Sequence, residues 1–429
     1  MAMKTTKLFL FISLMIFLST CQQAPKEFEP NYDESKVPAY ELPDPLVFEN
    51  GKSVTNSSEW FSKRRTEILK LYEEEVYGRI PEFEFNQVYV LNDRDSSALN
   101  GKAIRKQVTI KVIVNDKSLD IDVLVFLPKS ESPVPAFLGY NFNGNHTINS
   151  DTAISVTGNW VANNEEFGIS NNQANKSSRG INASRWPVDL IIEHGFALVT
   201  AYYGDIDPDF DDGFQNGIHG LVYDEGETPA PDEWGSIAAW AWGLSRVMDY
   251  LETDPEIIAQ EVTVIGHSRL GKTALWAGAI DERFAVVISN NSGCGGAAIS
   301  RRQFGETVEA INTGFPQWFC DNFNDYNNKE KNLPVDQHML IALMAPRPVY
   351  IASATEDLWA DPKGEFLAAL EADTVYQFLG LPGLSVKTMP EPDHPAMKGF
   401  IGYHLRTGKH DITPWDWEQY LCFVSYHLK

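Results

Sequence analysis

Cysteine is scarce in this chain, with four in 429 residues: Cys21, Cys294, Cys320 and Cys422. That excludes a disulfide-dense scaffold. With Cys21 set aside, the other three permit at most one intramolecular disulfide, and Cys294 with Cys320 is the preferred pair. Positive charge is also short, with 35 Lys and Arg against 59 Asp and Glu for a formal net charge of -24. A surface of that sign repels phosphate backbones and anionic membrane surfaces, so no nucleic-acid partner is expected. The apolar run Leu8 to Leu18 is too short for a comfortable bilayer span. Metal-ligand spacings such as H-E-x-x-H or C-x-x-C are missing, so no metal and no cofactor is implied.

What the chain does have is apolar bulk. A hydrophobic fraction of 43% with 12% aromatics is ample for a core, and 11 tryptophans exceed what packing alone needs, which leaves some to face a substrate. At the start, Lys4 and Lys7 precede the apolar Leu8 to Leu18, the layout of an export signal. It runs into Leu18-Ser19-Thr20-Cys21, which resembles a bacterial lipobox. Residues 1–20 then read as a signal peptide and Cys21 as the lipidation site. The protein is expected to be exported, either lipid-anchored to a bacterial membrane at its periplasmic or outer face, or secreted. Residues 21–45 carry Pro25, Pro30, Pro38, Pro43 and Pro45 among polar residues, the composition of an extended tether. Residues 46–429 are left for a single catalytic domain, expected to be a monomer.

Within that span, apolar residues from Trp60 to Val76 recur at helical spacing, with Gly78 as a stop. Gln107 to Val114 and Leu119 to Leu127 read as a hairpin around Asn115-Asp116. Continuous apolar runs follow at Val134 to Phe142, Phe196 to Tyr203, Val262 to Ile265, Phe284 to Ser289, Pro348 to Ala354 and Phe400 to Leu405. They read as strands covered on both faces. Helices are expected over Ile237 to Leu251 and over Pro414 to Leu428, the latter with Thr413 as N-cap and Pro414 at its first position. A hairpin, then strand-helix alternation, then a closing helix is the order of an α/β-hydrolase fold, a three-layer αβα sandwich with a mostly parallel central sheet.

One strand ends in Gly266-His267-Ser268-Arg269 and enters a helical segment, Thr273 to Ala279. That is the context of a nucleophile elbow, in which a strained turn lifts the serine hydroxyl while the helix N-terminus faces a developing oxyanion. The fit to G-x-S-x-G is imperfect, because Leu270 holds the second glycine position and Gly271 comes one later. A serine in an ordinary strand-to-helix turn is the plainer alternative. Hydrolases of this fold place the acid and the histidine later, on loops after strand ends. Asp357 follows the strand at Val349 to Ala354 by three residues, with Asp361 a close rival. Among nine histidines, His410 lies between the last strand and the last helix, whereas His394 precedes that strand and His404 is within it. His267, beside the nucleophile, reads as a packing residue.

The wider stretch Gly266-His-Ser-Arg-Leu-Gly-Lys272 resembles the nucleophile motif of the glucuronoyl esterases, carbohydrate esterase family 15. So do Ser289-Asn-Asn-Ser-Gly-Cys-Gly-Gly296, Arg301-Arg-Gln-Phe-Gly-Glu306, Ala345-Pro-Arg-Pro348 and Trp359-Ala-Asp-Pro-Lys-Gly364, in the manner of its bacterial branch. The resemblance implies a serine esterase acting on esters of glucuronic acid or its 4-O-methyl form, as in lignin-carbohydrate links of glucuronoxylan. It implies that Arg269 helps bind the oxyanion and that Lys272, Glu306 and Trp359 contact the sugar. Many family members carry the acid where this chain has Asn291, which moves the acid role to Asp357. The same triad could serve an acetyl esterase on decorated xylan. A glycan-binding lipoprotein without activity is the reading outside catalysis.

Overall fold

Residues 28–428 are described by the computed structural model, so the expected signal peptide and Cys21 lie outside the described residues. Nine strands form one sheet in the order β1-β2-β3-β5-β4-β6-β7-β8-β9. They are β1 Asn86–Ala98, β2 Ala103–Val114, β3 Lys117–Pro128, β4 Val134–Asn141, β5 Ala197–Tyr202, β6 Ile257–His267, β7 Val286–Asn290, β8 Val349–Ala354 and β9 Ile401–Arg406. The first three are antiparallel and join the rest through an antiparallel β3–β5 pair. From β5 outward to β9 every pairing is parallel.

Strand after strand follows the apolar runs, because a parallel strand sheathed by helices has no wet face to encode. The hairpin at Asn115-Asp116 is present, with Val114 paired to Lys117. Asn115 takes φ 53°, a left-handed conformation that asparagine tolerates. The outermost strand, β1, was not anticipated. Its apolar residues are confined to Val88-Tyr89-Val90-Leu91 before Asn92-Asp93-Arg94-Asp95, so one polar half hides an edge strand from a reading by periodicity.

Helices cover both faces. On one side lie α1 (residues 57–75, with a π-helical turn at Trp60–Arg64), α2 Ser236–Leu251, α3 Arg269–Ile280 and α4 Pro362–Phe378. On the other, α5 Pro414–His427 buries Trp417, Tyr420, Leu421 and Val424 against Phe137, Leu198 and Ile288 of the sheet. This is the three-layer α/β-hydrolase arrangement that the sequence order implied. Thr413 caps α5 as expected, and its side chain and that of Asp416 satisfy each other's backbone N–H groups.

Two expectations need correcting. Among the described residues Cys294 and Cys320 are free thiols, as is Cys422. Cys320 turns its Sγ toward the Glu74 carbonyl, and the Cys294 backbone carbonyl accepts from the Lys272 ammonium. The proline-rich segment, from Phe28 to Pro45, is laid against the body instead of hanging free. The Gly305 N–H donates to the Asn31 carbonyl at 2.9 Å, Arg302 and Lys363 hold Glu34 at 2.6 and 2.7 Å, and His338 Nε2 lies 2.9 Å from the Pro43 carbonyl. Tyr40 and Leu42 also pack against the core, but polar point contacts and isolated apolar residues carry no periodicity that could announce them.

Trp417 is fully buried and its indole N–H donates to the Arg185 carbonyl at 2.9 Å. Trp417→Ala should therefore cost about 3–5 kcal/mol of unfolding free energy, cavity and lost hydrogen bond together. Urea denaturation measures it, and a loss below about 1 kcal/mol would mean that α5 is not seated as described.

Candidate active site

The C-terminal ends of the parallel strands converge on a cavity of about 330 Å³. At the end of β6 the chain reverses sharply through Ser268, which has φ 59° and ψ -130° and caps α3. Only a glycine fits two residues earlier, because a Cβ on Gly266 would stand 1.8 Å from the Leu270 carbonyl oxygen. Gly271 in turn packs against Ser289 and Ser292, where a Cβ would meet atoms 3.0 to 3.1 Å away. The displaced second glycine of the motif thus serves close packing of α3 on the β7 loop. The Arg269 backbone N–H opens the helix and has no intrahelical acceptor, which leaves it a free donor beside Ser268.

Ser268, Asp357 and His410 all line this cavity. His410 presents Nδ1 to Asp357 Oδ2 at 2.6 Å, and the Asn291 Nδ2–H donates to the same oxygen at 2.8 Å. Burial alone would raise the Asp357 carboxyl, but the hydrogen bond and charge of His410, with the Asn291 amide, hold it below the usual range. Asp361 is engaged elsewhere. It binds Arg302 Nε at 2.7 Å and caps α4 through the Gly364 N–H. His404 is locked between Asp416 and Tyr350, and His394 is an exposed loop residue. His267 hydrogen-bonds Asn290 at 2.5 Å and packs its ring 4.5 Å from that of His410. Burial, with the His410 and Arg185 charges, pushes its pKa far down, so it remains neutral under His410.

Arg269 points into the same cavity, its guanidinium 4.9 Å from the Trp318 ring centroid and paired with Asp209. Asp209 also accepts from Tyr203, Gln317 and Trp318 at 3.0, 3.0 and 2.7 Å, which fixes the guanidinium in place. Among the described residues the Arg269 Nε–H has no partner. Nothing in the sequence singled out Asp209, which follows a buried strand in an Asp-Pro-Asp turn. Lys272 is buried, and its ammonium donates to the Ser292 and Cys294 carbonyls at 2.8 and 2.6 Å and to Glu306 at 3.2 Å. Trp359 is 40% exposed at the mouth, and the Glu306 N–H donates to its carbonyl. Ser268, Arg269, Asp357 and His410, expected to be catalytic, therefore meet Lys272, Glu306 and Trp359, expected to contact the sugar, at one cavity.

The stretch Gly266 to Thr273 also fits the spacing of a phosphate-binding loop, G-x-x-x-x-G-K-[ST]. It does not form one. The helix begins at Arg269, in the middle of the pattern, and the Lys272 ammonium is bound by protein oxygens instead of facing an open loop.

Behind the site, Glu365 on the first turn of α4 accepts from the Ser292 and Gly293 N–H groups at 2.7 and 3.0 Å and from the Ser353 hydroxyl at 2.6 Å. Burial pushes its carboxyl up to about 8, against an ordinary value of about 4.3. A folded-state pKa raised above the unfolded one gives stability that is complete below about pH 4.3 and lost as the pH climbs toward 8. Glu365→Gln keeps an acceptor for the two N–H groups and can donate to Ser353, but it cannot ionise. Its melting temperature should therefore match wild type near pH 4 and exceed it at pH 9. Parallel melting curves across that range would contradict the assignment.

A sequence profile described as fungal glucuronyl esterase matches residues 180–380. A carbohydrate esterase from an unknown prokaryotic organism is 54% identical over 400 residues, which is 93% of this chain and 92% of that protein. The solved glucuronoyl esterase from Solibacter usitatus is 46% identical, with a TM-score of 0.86 over 92% of this chain and 100% of its own. The 4-O-methyl-glucuronoyl methylesterase of Cerrena unicolor is 29% identical across 82% of this chain and 64% of that protein. With sequence identity and fold shared along nearly the whole chain, the protein belongs to carbohydrate esterase family 15, the glucuronoyl esterases.

Proposed function

We propose that the protein hydrolyses esters of glucuronic acid or 4-O-methyl-glucuronic acid, of the kind that tie glucuronoxylan to lignin alcohols, through Ser268, His410 and Asp357. The observation that carries this reading is the 2.6 Å contact of His410 Nδ1 with Asp357 Oδ2, in a cavity that also holds Ser268 in a strained turn. With Nδ1 committed to the carboxylate, Nε2 is the nitrogen free to take the Ser268 proton. Ser268 Oγ attacks the ester carbonyl, and the carbonyl π electrons move to oxygen. The Arg269 backbone N–H and guanidinium stabilise that oxyanion. Collapse breaks the bond to the alcohol, which leaves with the proton that His410 returns. Water, activated by the same imidazole, then releases the uronic acid and restores Ser268.

Lys272, Glu306 and Trp359 hold the sugar in this scheme. Lys272 with Glu306 supplies donors and acceptors to ring hydroxyls, and Trp359 offers a face and an indole N–H. Residues 46–429 act as the catalytic unit. The protein is exported and tethered through a lipid on Cys21.

Purified protein should turn over benzyl and methyl glucuronate, and Ser268→Ala should lower kcat at least about a thousandfold with KM little changed. Equal turnover by the variant would remove the mechanism. Acetylated xylan as the better substrate would replace the uronate assignment with an acetyl esterase. Binding of glucuronoxylan by wild type without hydrolysis would leave a glycan-binding protein.

A further inference from the structure

Large apolar side chains rarely stand exposed in a cluster without a purpose. Among the described residues nine are exposed, and four of them lie beside the active-site cavity, with Trp359 lining it: Phe28 at 40%, Tyr32 at 47%, Leu358 at 42% and Trp359 at 40% exposure. Leu358 and Trp359 directly follow Asp357. Phe28 and Tyr32 come from the N-terminal segment, which is strapped to Gly305, Arg302 and Lys363 on this side of the site. Phe28 packs edge-on to Trp359 with ring centroids 6.0 Å apart, and Tyr32 packs against Phe304 at 6.1 Å. Tyr32 is close enough to Asp357 that, after burial, the carboxylate is the next influence raising its phenol.

The strap's backbone is pinned along this edge. Asn31 accepts from Gly305, whose φ of 64° suits glycine, and Glu34 is held by Arg302 and Lys363. The rings are thus presented from a fixed support, with little entropy left to lose on contact.

We propose that Phe28 and Tyr32, with Trp359, form a subsite for an aromatic alcohol, the leaving half of the ester. The inference rests on the esterase reading above. That reading puts the uronate inside a cavity of about 330 Å³, near the lower end for small-ligand sites, so the alcohol must project through the mouth. Its direction is set as well. His410 returns its proton to the alcohol oxygen, so the alcohol emerges beside His410 and its partner Asp357, where the aromatic rim stands. The rim offers ring faces and edges, the surface that an aryl group pairs with by stacked or edge contacts.

The test uses the full chain and two substrates, benzyl and methyl glucuronate. Benzyl alcohol and methanol have closely similar acidity, so the ratio of the two rates reports contacts of the alcohol and not its quality as a leaving group. Phe28→Ala/Tyr32→Ala should lower kcat/KM for the benzyl ester about fivefold to tenfold, chiefly through KM, the scale of one or two lost aromatic contacts. The methyl ester should stay within about twofold of wild type, and Tyr32→Phe, which keeps the ring, should retain the benzyl preference. An equal fall for both esters would overturn the subsite and make the strap a structural brace. No change for either would overturn it too. Wild-type protein inert toward both esters would instead sink the esterase reading beneath it.

Discussion

The turn through Ser268 is the constraint on which the site depends. A serine at φ 59° persists only where its surroundings over-determine it, and here they do. β6 is held between β4 and β7, α3 is packed over it, and the close approach of Gly266 to the Leu270 carbonyl leaves no space for any other residue. The strain is sustained by burial of both faces of the sheet. In return the hydroxyl stands above the strand ends, beside the first N–H groups of a helix and within the reach of loops from β7, β8 and β9.

Those loops are tied to one another as much as to Ser268. Asn291, from the β7 loop, donates to Asp357, from the β8 loop, which in turn holds His410, from the β9 loop. Glu365 and Lys272 grip the β7 loop from behind, one through its N–H groups and the other through its carbonyls. A loop fastened by both polarities of its backbone cannot drift without leaving buried polar groups unsatisfied, a costly event. Asn291 joins that network as an amide donor, so the β7 loop is linked to Asp357 by a neutral side chain.

How much of this could be read from the sequence follows from which signals are local. Strands covered on both faces write themselves as apolar runs, so β4 to β9 were legible, as were the hairpin and the capped α5. The edge strand β1 and the helix α4 were not. β1 is half polar, and α4 opens with Asp361 as N-cap and Pro362 at its first position, a pair that also suits a loop carboxylate near the site. Within the site, Ser268, Asp357 and His410 were legible because elbow and loop order are chain-local. The seat of Arg269 was not, since Asp209 reaches it across 60 residues of chain. The Cys294–Cys320 pairing failed for a related reason, because counting cysteines says nothing about where their side chains face.

The strap has a further consequence, one of position relative to the cell. Its first described residue, Phe28, lies only seven positions after Cys21, and seven residues fully extended span about 25 Å. A lipid on Cys21 would thus hold the mouth of the active site within one protein radius of the membrane. The chain would then have no long stalk with which to graze on distant cell-wall polymer.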